Sequence, residues 1–282
     1  MRKRLCSVLL FLALTLAACG SARSTESGPF SPEAPGGPAL TAAPTPTASP
    51  MPTPTAMPEP TQEPVQTLAP GQHNDAYFDN ALFIGDSIME GIRQYVARHR
   101  SVEPTLSDAR FLTSEAGVSI AGLVQTGTGY RYQGADQSLQ QILTQIVPTR
   151  IFLLLGLNDL SQSNPDIDGI IFNYVQLISQ ICQAVPGVEI IVLTNTPKVA
   201  SGWLPDYTAN RNFNNALITD FVEALIRMCD SQGIPYINTH QALQGENGAL
   251  PDSFCRDGFL HINDAGAKVV VDTLYAYADG RG

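Results

Sequence analysis

The chain of 282 residues is acidic, with 16 Lys and Arg against 26 Asp and Glu and a formal net charge of −10. This balance argues against a nucleic-acid partner, which would require a basic face, and it does not favour a polyanionic wall polymer as ligand. The length accommodates one sizeable domain with appendages, and the sequence shows no internal repeat.

The N-terminus has the pattern of a secretory signal. Basic residues at positions 2–4 precede an apolar run over 5–16, which is too short for an ordinary membrane span. Residues 16–19 (LAAC) resemble the bacterial lipobox. That resemblance implies a lipoprotein signal peptide over 1–18, cleavage before Cys19 and a diacylglyceryl group on its thiol. The mature protein is then expected to be extracytoplasmic and anchored to the bacterial cell membrane by at least two acyl chains. The alternative is a simple secreted protein cleaved nearby.

A proline-rich stretch follows. Thirteen of the 21 prolines lie between Pro29 and Pro70, among Thr, Ala and Ser and with almost no large apolar residues. Such a segment cannot bury enough apolar surface to offset the entropy of ordering. Residues 19–74 are therefore predicted to be a disordered, semi-rigid linker, and the folded domain is predicted over 75–282.

Within the domain, apolar runs alternate with amphipathic segments, which predicts a doubly wound α/β fold with a parallel sheet. The predicted strands cover 81–84, 110–112, 151–155, 189–193 and 235–237. The third run, IFLLL, is apolar on both faces, as expected for a central strand covered by helices on both sides.

Helical spacing is clearest in three later segments. Apolar residues recur at intervals of three and four from Ile167 to Ile181, and again from Phe213 to Met228 before Gly233. The last helix is predicted to begin at Asn263, a good capping residue, and to run to about residue 278. Two long segments, 125–134 and 195–212, are predicted to lie above the site.

Chemistry-bearing residues follow the predicted strands, where ligands bind in open parallel sheets. They are the GDS tripeptide at 85–87, Gly117 and the GLND tetrapeptide at 156–159, and Asp257 with His261 comes later, near the C-terminus. In this order the motifs resemble the four blocks of the SGNH (GDSL) hydrolase family, over nearly the whole domain from Leu82 to about Leu274. The resemblance implies a three-layer α/β/α sandwich with a flavodoxin-like five-stranded parallel sheet.

The resemblance also implies a role for each site residue. Ser87 would be the nucleophile, His261 its general base, and Asp257 the acid that orients the imidazole. The backbone N–H groups of Ser87 and Gly117 and the side-chain amide of Asn158 would form the oxyanion hole.

One spacing departs from the family pattern, because four residues separate Asp257 from His261 where the family usually has three. A turn at Gly258 would absorb the extra residue. Alternatively, Asp257 points elsewhere and leaves a Ser–His dyad, with Asp252 and Asp264 as the other local acids.

Three further polar residues lie near the carboxyl edge of the predicted sheet. His240 follows the fifth strand and is an alternative base, although a satisfied loop histidine is the plainer interpretation. Asp86 and Asp159 are predicted to bind loop N–H groups and not substrate.

The implied activity is hydrolysis of carboxylic esters through an acyl-enzyme, on a small ester or an acylated glycan, with short groups such as acetyl the first candidates. The spacer motivates the glycan hypothesis, since it would carry the domain into a cell wall. The alternatives are an acyltransferase acting on a wall polymer, a lysophospholipase and a non-catalytic binding module.

Cysteine usage indicates no metal site. Beyond Cys6 and Cys19, the chain has Cys182, Cys229 and Cys255, and their spacing does not decide which, if any, would pair. No CxxC pair or Cys/His cluster is present. The sequence therefore implies no metal and no organic cofactor, and it leaves the oligomeric state open.

Overall fold

The computed structural model describes residues 72–114, 117–127 and 129–281. The predicted signal peptide, Cys19 and the linker up to residue 71 lie outside the described residues.

The described strands are β1 (Ala81–Gly85), β2 (Arg110–Leu112), β3 (Tyr130–Tyr132), β4 (Ala135–Gln137), β5 (Arg150–Leu154), β6 (Glu189–Leu193) and β7 (Tyr236–Ile237). Five of them form one parallel sheet in the order β2-β1-β5-β6-β7. This is the flavodoxin-like strand order. The predicted fold class is confirmed.

The described helices are α1 (Ser87–His99), α2 (Ile120–Thr126), α3 (Leu139–Ile146), α4 (Leu157–Leu160), α5 (Ile167–Ala184), α6 (Asn215–Gln232), α7 (Thr239–Leu243) and α8 (Asp264–Asp279), with 3-10 turns at Asp75–Phe78 and Asp252–Phe254. Helix α8 packs against α1 and α7, whereas α5 packs against α2, α3 and α6. These two groups are the helical layers of the three-layer sandwich.

Two of the predicted helices are bounded by the capping residues that the sequence indicated. Gly233 closes α6 in the left-handed conformation, with φ of 64°. The side chain of Asn263 accepts hydrogen bonds from the backbone N–H groups of Ala265 and Gly266 and so caps α8.

Aromatic side chains form much of the core around the central strands. Phe83 on β1 stacks on Phe152 of β5, with ring centroids 4.4 Å apart, and on Phe111 of β2, at 4.9 Å. Phe83 and Phe152 are fully buried, and burying such a side chain contributes about 1.5–3 kcal/mol. Strand β5 is buried from Ile151 onward, as its apolar pattern predicted.

The segment 130–137 differs from the prediction. It forms an antiparallel hairpin of β3 and β4, turned by Gln133 and Gly134, both with positive φ. Tyr130 is buried and its hydroxyl donates to the carbonyl of Gly85 at 3.2 Å. Tyr130 therefore does not belong to an exposed loop, because it lies in β3 with its ring buried.

Contacts with the last helix begin before residue 75. The backbone N–H of Asn74 donates to Asp279 at 2.7 Å, and the His73 ring stacks on Tyr275 at 4.3 Å. These two residues, predicted as the end of the linker, therefore pack on α8.

Two further properties concern only the described part of the chain. Cys229 and Cys255 carry free thiols. None of the described helices is both long enough and apolar enough to cross a membrane.

Candidate active site

Ser87 begins α1 immediately after β1. Gly85 makes this turn possible, since a Cβ there would lie 2.3 Å from the Cβ of Met89 and 2.9 Å from the carbonyl oxygen of Leu154. Asp86 caps the helix by accepting a hydrogen bond from the N–H of Ile88 at 3.0 Å. The chain thus passes from strand to helix within two residues and leaves Ser87 half-buried at the sheet's carboxyl edge.

His261 reaches Ser87 from the far end of the sequence. Its Nε2 lies 2.9 Å from the Ser87 Oγ, which is within hydrogen-bonding distance for a base and its nucleophile. The histidine lies in a loop fastened by an antiparallel bridge between Cys255 and Ile262. The capped start of α8 follows two residues later.

Asp257 completes the line of contacts. Its Oδ2 lies 2.5 Å from the His261 Nδ1. Its Oδ1 accepts hydrogen bonds from the N–H groups of Phe259, Leu260 and His261 at 2.9, 3.1 and 3.2 Å. Gly258 has φ of 69°, so the extra residue is accommodated in a turn wound around the carboxylate.

The other local acids lie elsewhere. Asp264 forms an ion pair with Arg98, and Asp252 is exposed at the start of its 3-10 turn. Neither takes the position at the imidazole that Asp257 occupies.

Hydrogen bonds stabilise the ionised form of Asp257. Its partial burial favours the neutral acid, but the bonds from His261 and from the Phe259 N–H outweigh that effect and lower the pKa to about 2. The carboxylate is therefore charged across the pH range in which an imidazole can act as a base.

Asn158 lies just after β5, at the start of α4. The preceding Gly156 has φ of 127°, and a Cβ there would lie 2.6 Å from the ring of Phe221. The Asn158 Nδ2 donates to the carbonyl of Val118 at 2.9 Å and to the Asp86 Oδ2 at 3.1 Å.

Gly117 is exposed beside this amide. A Cβ on Gly117 would lie 3.5 Å from the Asn158 Oδ1. Since Asp86 precedes Ser87, the structure brings together the three predicted oxyanion-hole residues. Both N–H groups of Asn158 have acceptors within the protein.

Asp86 and Asp159 bind backbone N–H groups, as predicted. Asp159 accepts from Ile120 and Ala121 at the start of α2. Burial and, secondarily, the charge of Asp159 raise the pKa of Asp86 to about 7, and burial also raises that of Asp159. The Asn158 contact of Asp86 was not foreseen from the sequence, although its place in the GDS motif was the available signal.

His240 is buried away from Ser87. Its Nδ1 lies 2.7 Å from the carbonyl oxygen of Asn195, and its Nε2 lies 2.9 Å from the Gln244 Nε2. Burial lowers the pKa of this imidazole. His240 lies in α7 and not in a loop, but its satisfied hydrogen bonds favour a structural role over that of an alternative base.

Cys255 is a neighbour of the triad that the sequence did not indicate. Its Sγ lies 3.3 Å from the Asp257 Oδ1. Within the described residues, no group of three or more His, Cys, Asp or Glu side chains could hold a metal ion.

The model of the GDSL-like lipase/acylhydrolase family matches residues 83–269, which is more than half of the chain. Comparison with curated proteins found no match.

Solved structures share the fold at low sequence identity. A Bacteroides fragilis protein described as an acylhydrolase superimposes with a TM-score of 0.55 and 16% identity, over 71% of this chain and 86% of the other. A GDSL-like lipase from Bacteroides thetaiotaomicron gives 0.54 and 16%, over 72% and 88%. An acetyl xylan esterase gives 0.51 and 16%, over 70% and 98%.

The matched segment begins within β1, before Ser87, and ends after His261, so it contains every residue of the site described above. The chain belongs to the GDSL-like lipase/acylhydrolase family.

Proposed function

We propose that this protein is a serine esterase that cleaves carboxylic esters through an acyl-enzyme. The observation that carries the proposal is the continuous contact from Ser87 through His261 to Asp257, at 2.9 and 2.5 Å. His261 takes the Ser87 proton as Oγ attacks the ester carbonyl, and it later delivers that proton to the leaving alcohol. A water molecule, activated in the same way, then releases the acid.

We assign the stabilisation of the developing oxyanion to hydrogen bonds from the backbone N–H groups of Ser87 and Gly117 and from the Asn158 amide. The Asn158 amide donates to Val118 and to Asp86. We assign the exchange for the oxyanion to the bond with Asp86, because Asp86 directly precedes Ser87.

The proposed substrates carry short O-acyl groups, such as acetyl, on glycans. The acetyl xylan esterase of the same fold acts on such a group, but at 16% identity it supports the fold alone. The substrate class is supported by the predicted spacer, which would hold the domain at a distance from the membrane. The proposal also places the mature protein outside the cytoplasm, anchored through a lipid on Cys19.

The first experiment is a series of p-nitrophenyl esters of increasing acyl length, assayed with the purified chain and with Ser87→Ala. We expect acetate to be cleaved best and Ser87→Ala to lose about 10⁶-fold in kcat. Equal rates for wild type and variant would contradict the esterase proposal. Adding an acceptor alcohol and analysing the products would reveal acyl transfer, the alternative fate of the acyl-enzyme.

The anchor is tested separately. Cys19→Ser is expected to move the protein from the membrane fraction to the soluble fraction of expressing cells, because the thiol that would carry the lipid is gone. An unchanged distribution would contradict lipidation at this residue.

A further inference from the structure

Residues 199–210 form a loop that is tied at both ends to the candidate active site. At one end the N–H of Val199 donates to the carbonyl of Phe259 at 2.8 Å, between Asp257 and His261 in the sequence. At the other end the N–H of Asn210 donates to the carbonyl of Ser161 at 2.8 Å, just after α4, which carries Asn158. The loop thus connects the acid–base side of the site to its oxyanion side.

Further contacts fix the conformation of this loop. Lys198 is buried, and its ammonium group donates to the carbonyls of Val199 and Ser201 at 2.9 and 2.5 Å. The buried side-chain amide of Asn210 donates to the carbonyl of Leu160 at 2.9 Å. The backbone of this loop is therefore held in position before a ligand binds, which lowers the conformational entropy lost on binding.

Two aromatic side chains project from this loop into solvent, Trp203 with 54% of its surface exposed and Tyr207 with 72%. Trp203 packs edge-on against Phe259, with ring centroids 5.8 Å apart. Tyr207 lies four residues further along the same loop, and partial burial and the charge of Asp257 both raise the pKa of its phenol. We call Trp203 and Tyr207 the aromatic rim.

The surroundings of the rim distinguish between classes of ligand. Between Trp203 and Tyr207 in the sequence, Leu204 is half-buried, Pro205 is buried and the polar Asp206 is exposed, and the polar Ser201 is exposed just before them. No large aliphatic side chain of residues 199–210 is fully exposed, so this loop offers an acyl chain little apolar surface. A sugar ring presents C–H groups on its faces and hydroxyls at its edge, which suits flat aromatic surfaces with polar neighbours.

The charge of the protein also favours a neutral sugar over an anionic lipid. The chain has a net charge of −10, and the exposed Asp206 lies between Trp203 and Tyr207 in the sequence, so an anionic lipid surface would be repelled. Carboxylates accept hydrogen bonds from neutral hydroxyls.

From these observations we propose that the aromatic rim is a carbohydrate subsite, which stacks on a neutral sugar unit next to the one that carries the ester. The inference deepens the proposed function and rests on it for the placing of the ester.

The chain offers a direct readout, because it contains a single tryptophan. Its emission therefore reports on Trp203 alone. The purified Cys19→Ser chain, which cannot insert into vesicles through a lipid on Cys19, is titrated with xylotetraose, cellotetraose and tetra-N-acetylchitotetraose, and in parallel with vesicles of dioleoylphosphatidylcholine. We expect a saturable change in emission with at least one tetrasaccharide and none with the vesicles.

Variants then assign the effect to the rim. Tyr207→Ala is expected to weaken the tetrasaccharide affinity by about five- to tenfold, the loss of one stacked ring. The matched control is Phe172→Ala on α5, since Phe172 is another exposed aromatic, at 62%, and its removal should leave the affinity unchanged. Because all these side chains are exposed, circular dichroism melting should show the wild-type Tm.

A kinetic comparison uses O-acetylated xylotetraose and p-nitrophenyl acetate. For Trp203→Ala, the rise in KM for the oligosaccharide should exceed that for the small ester by about tenfold. Equal losses on both esters would overturn the inference.

The two proposals fail in different ways. Binding of sugar at Trp203 without ester cleavage would support the rim and contradict the esterase. Ester cleavage with no tetrasaccharide response would contradict the rim alone. A response to vesicles only would overturn the carbohydrate subsite in favour of an acyl-binding surface.

Discussion

Replacing Asp257 by Asn tests the central feature of the site. An asparagine keeps an oxygen at the Oδ1 position, so it can still accept the bonds from the N–H groups of Phe259, Leu260 and His261. The turn should therefore persist. Only the contact between Oδ2 and the His261 Nδ1, at 2.5 Å, changes its chemistry.

The expected loss of activity depends on which nitrogen of the His261 imidazole carries the proton. An amide N–H at the Oδ2 position makes the His261 Nδ1 an acceptor, so the neutral ring must carry its proton on Nε2. That nitrogen lies 2.9 Å from the Ser87 Oγ and can then no longer take the serine proton. We expect kcat to fall about 10⁴-fold, which corresponds to about 5.5 kcal/mol in the barrier.

The assay is hydrolysis of p-nitrophenyl acetate by purified wild type, Asp257→Asn and the control Asp264→Asn. Asp264 is nearby in sequence but pairs with Arg98, so its variant should keep the wild-type kcat to within about twofold, as an exposed ion pair contributes little. If Asp257→Asn retained more than about a tenth of the wild-type kcat, the 10⁴-fold expectation would be refuted. The site would then be a Ser–His dyad.

Three further predictions concern the oxyanion side and stability. Asn158→Ala should lower kcat on p-nitrophenyl acetate about 10²- to 10³-fold with an unchanged circular dichroism spectrum, and an unimpaired variant would contradict the assigned role. Gly156→Ala should lower the free energy of unfolding in urea by about 3 kcal/mol. The reason is that φ of Gly156 is 127° and the new Cβ would meet the Phe221 ring at 2.6 Å. A loss below about 1 kcal/mol would show that the turn relaxes. The raised pKa of Asp86, about 7 against an ordinary 3.8, stabilises the fold fully below pH 3.8, and that stability is lost as pH rises through 7. Urea unfolding of wild type at pH 4.5 and 8 should therefore show a decrease of about 3 kcal/mol that Asp86→Asn lacks, and parallel profiles would refute the assignment.

Much of the fold could be predicted because its signals are local. The apolar IFLLL run identified the central strand, and intervals of three and four identified α5 and α6 with the Gly233 cap. These patterns reflect burial on one or both faces of a single element. The hairpin at β3 and β4 escaped prediction, because its three-residue strands are too short to show a period.

For the candidate site, the motifs identified which residues to consider but not how they interact. The sequence named Ser87, Asn158 and His261 and favoured Asp257 as the acid, with Asp252 and Asp264 as alternatives. Only the turn around the Asp257 Oδ1 decides among them, since it depends on the φ of Gly258 and on three backbone N–H directions.

By itself, then, the sequence determined the parallel α/β architecture and the order of the chemical motifs along it. The tertiary structure decided that Asn158 already donates to Val118 and Asp86, that Tyr130 turns inward, and that the 199–210 loop is tied to both sides of the site. The physical reason is the separation of the contacting residues in the sequence. Strand and helix patterns reflect contacts within a few residues, whereas His261 and Ser87 are 174 positions apart. Contacts of that separation depend on how whole elements pack, which no local spacing records.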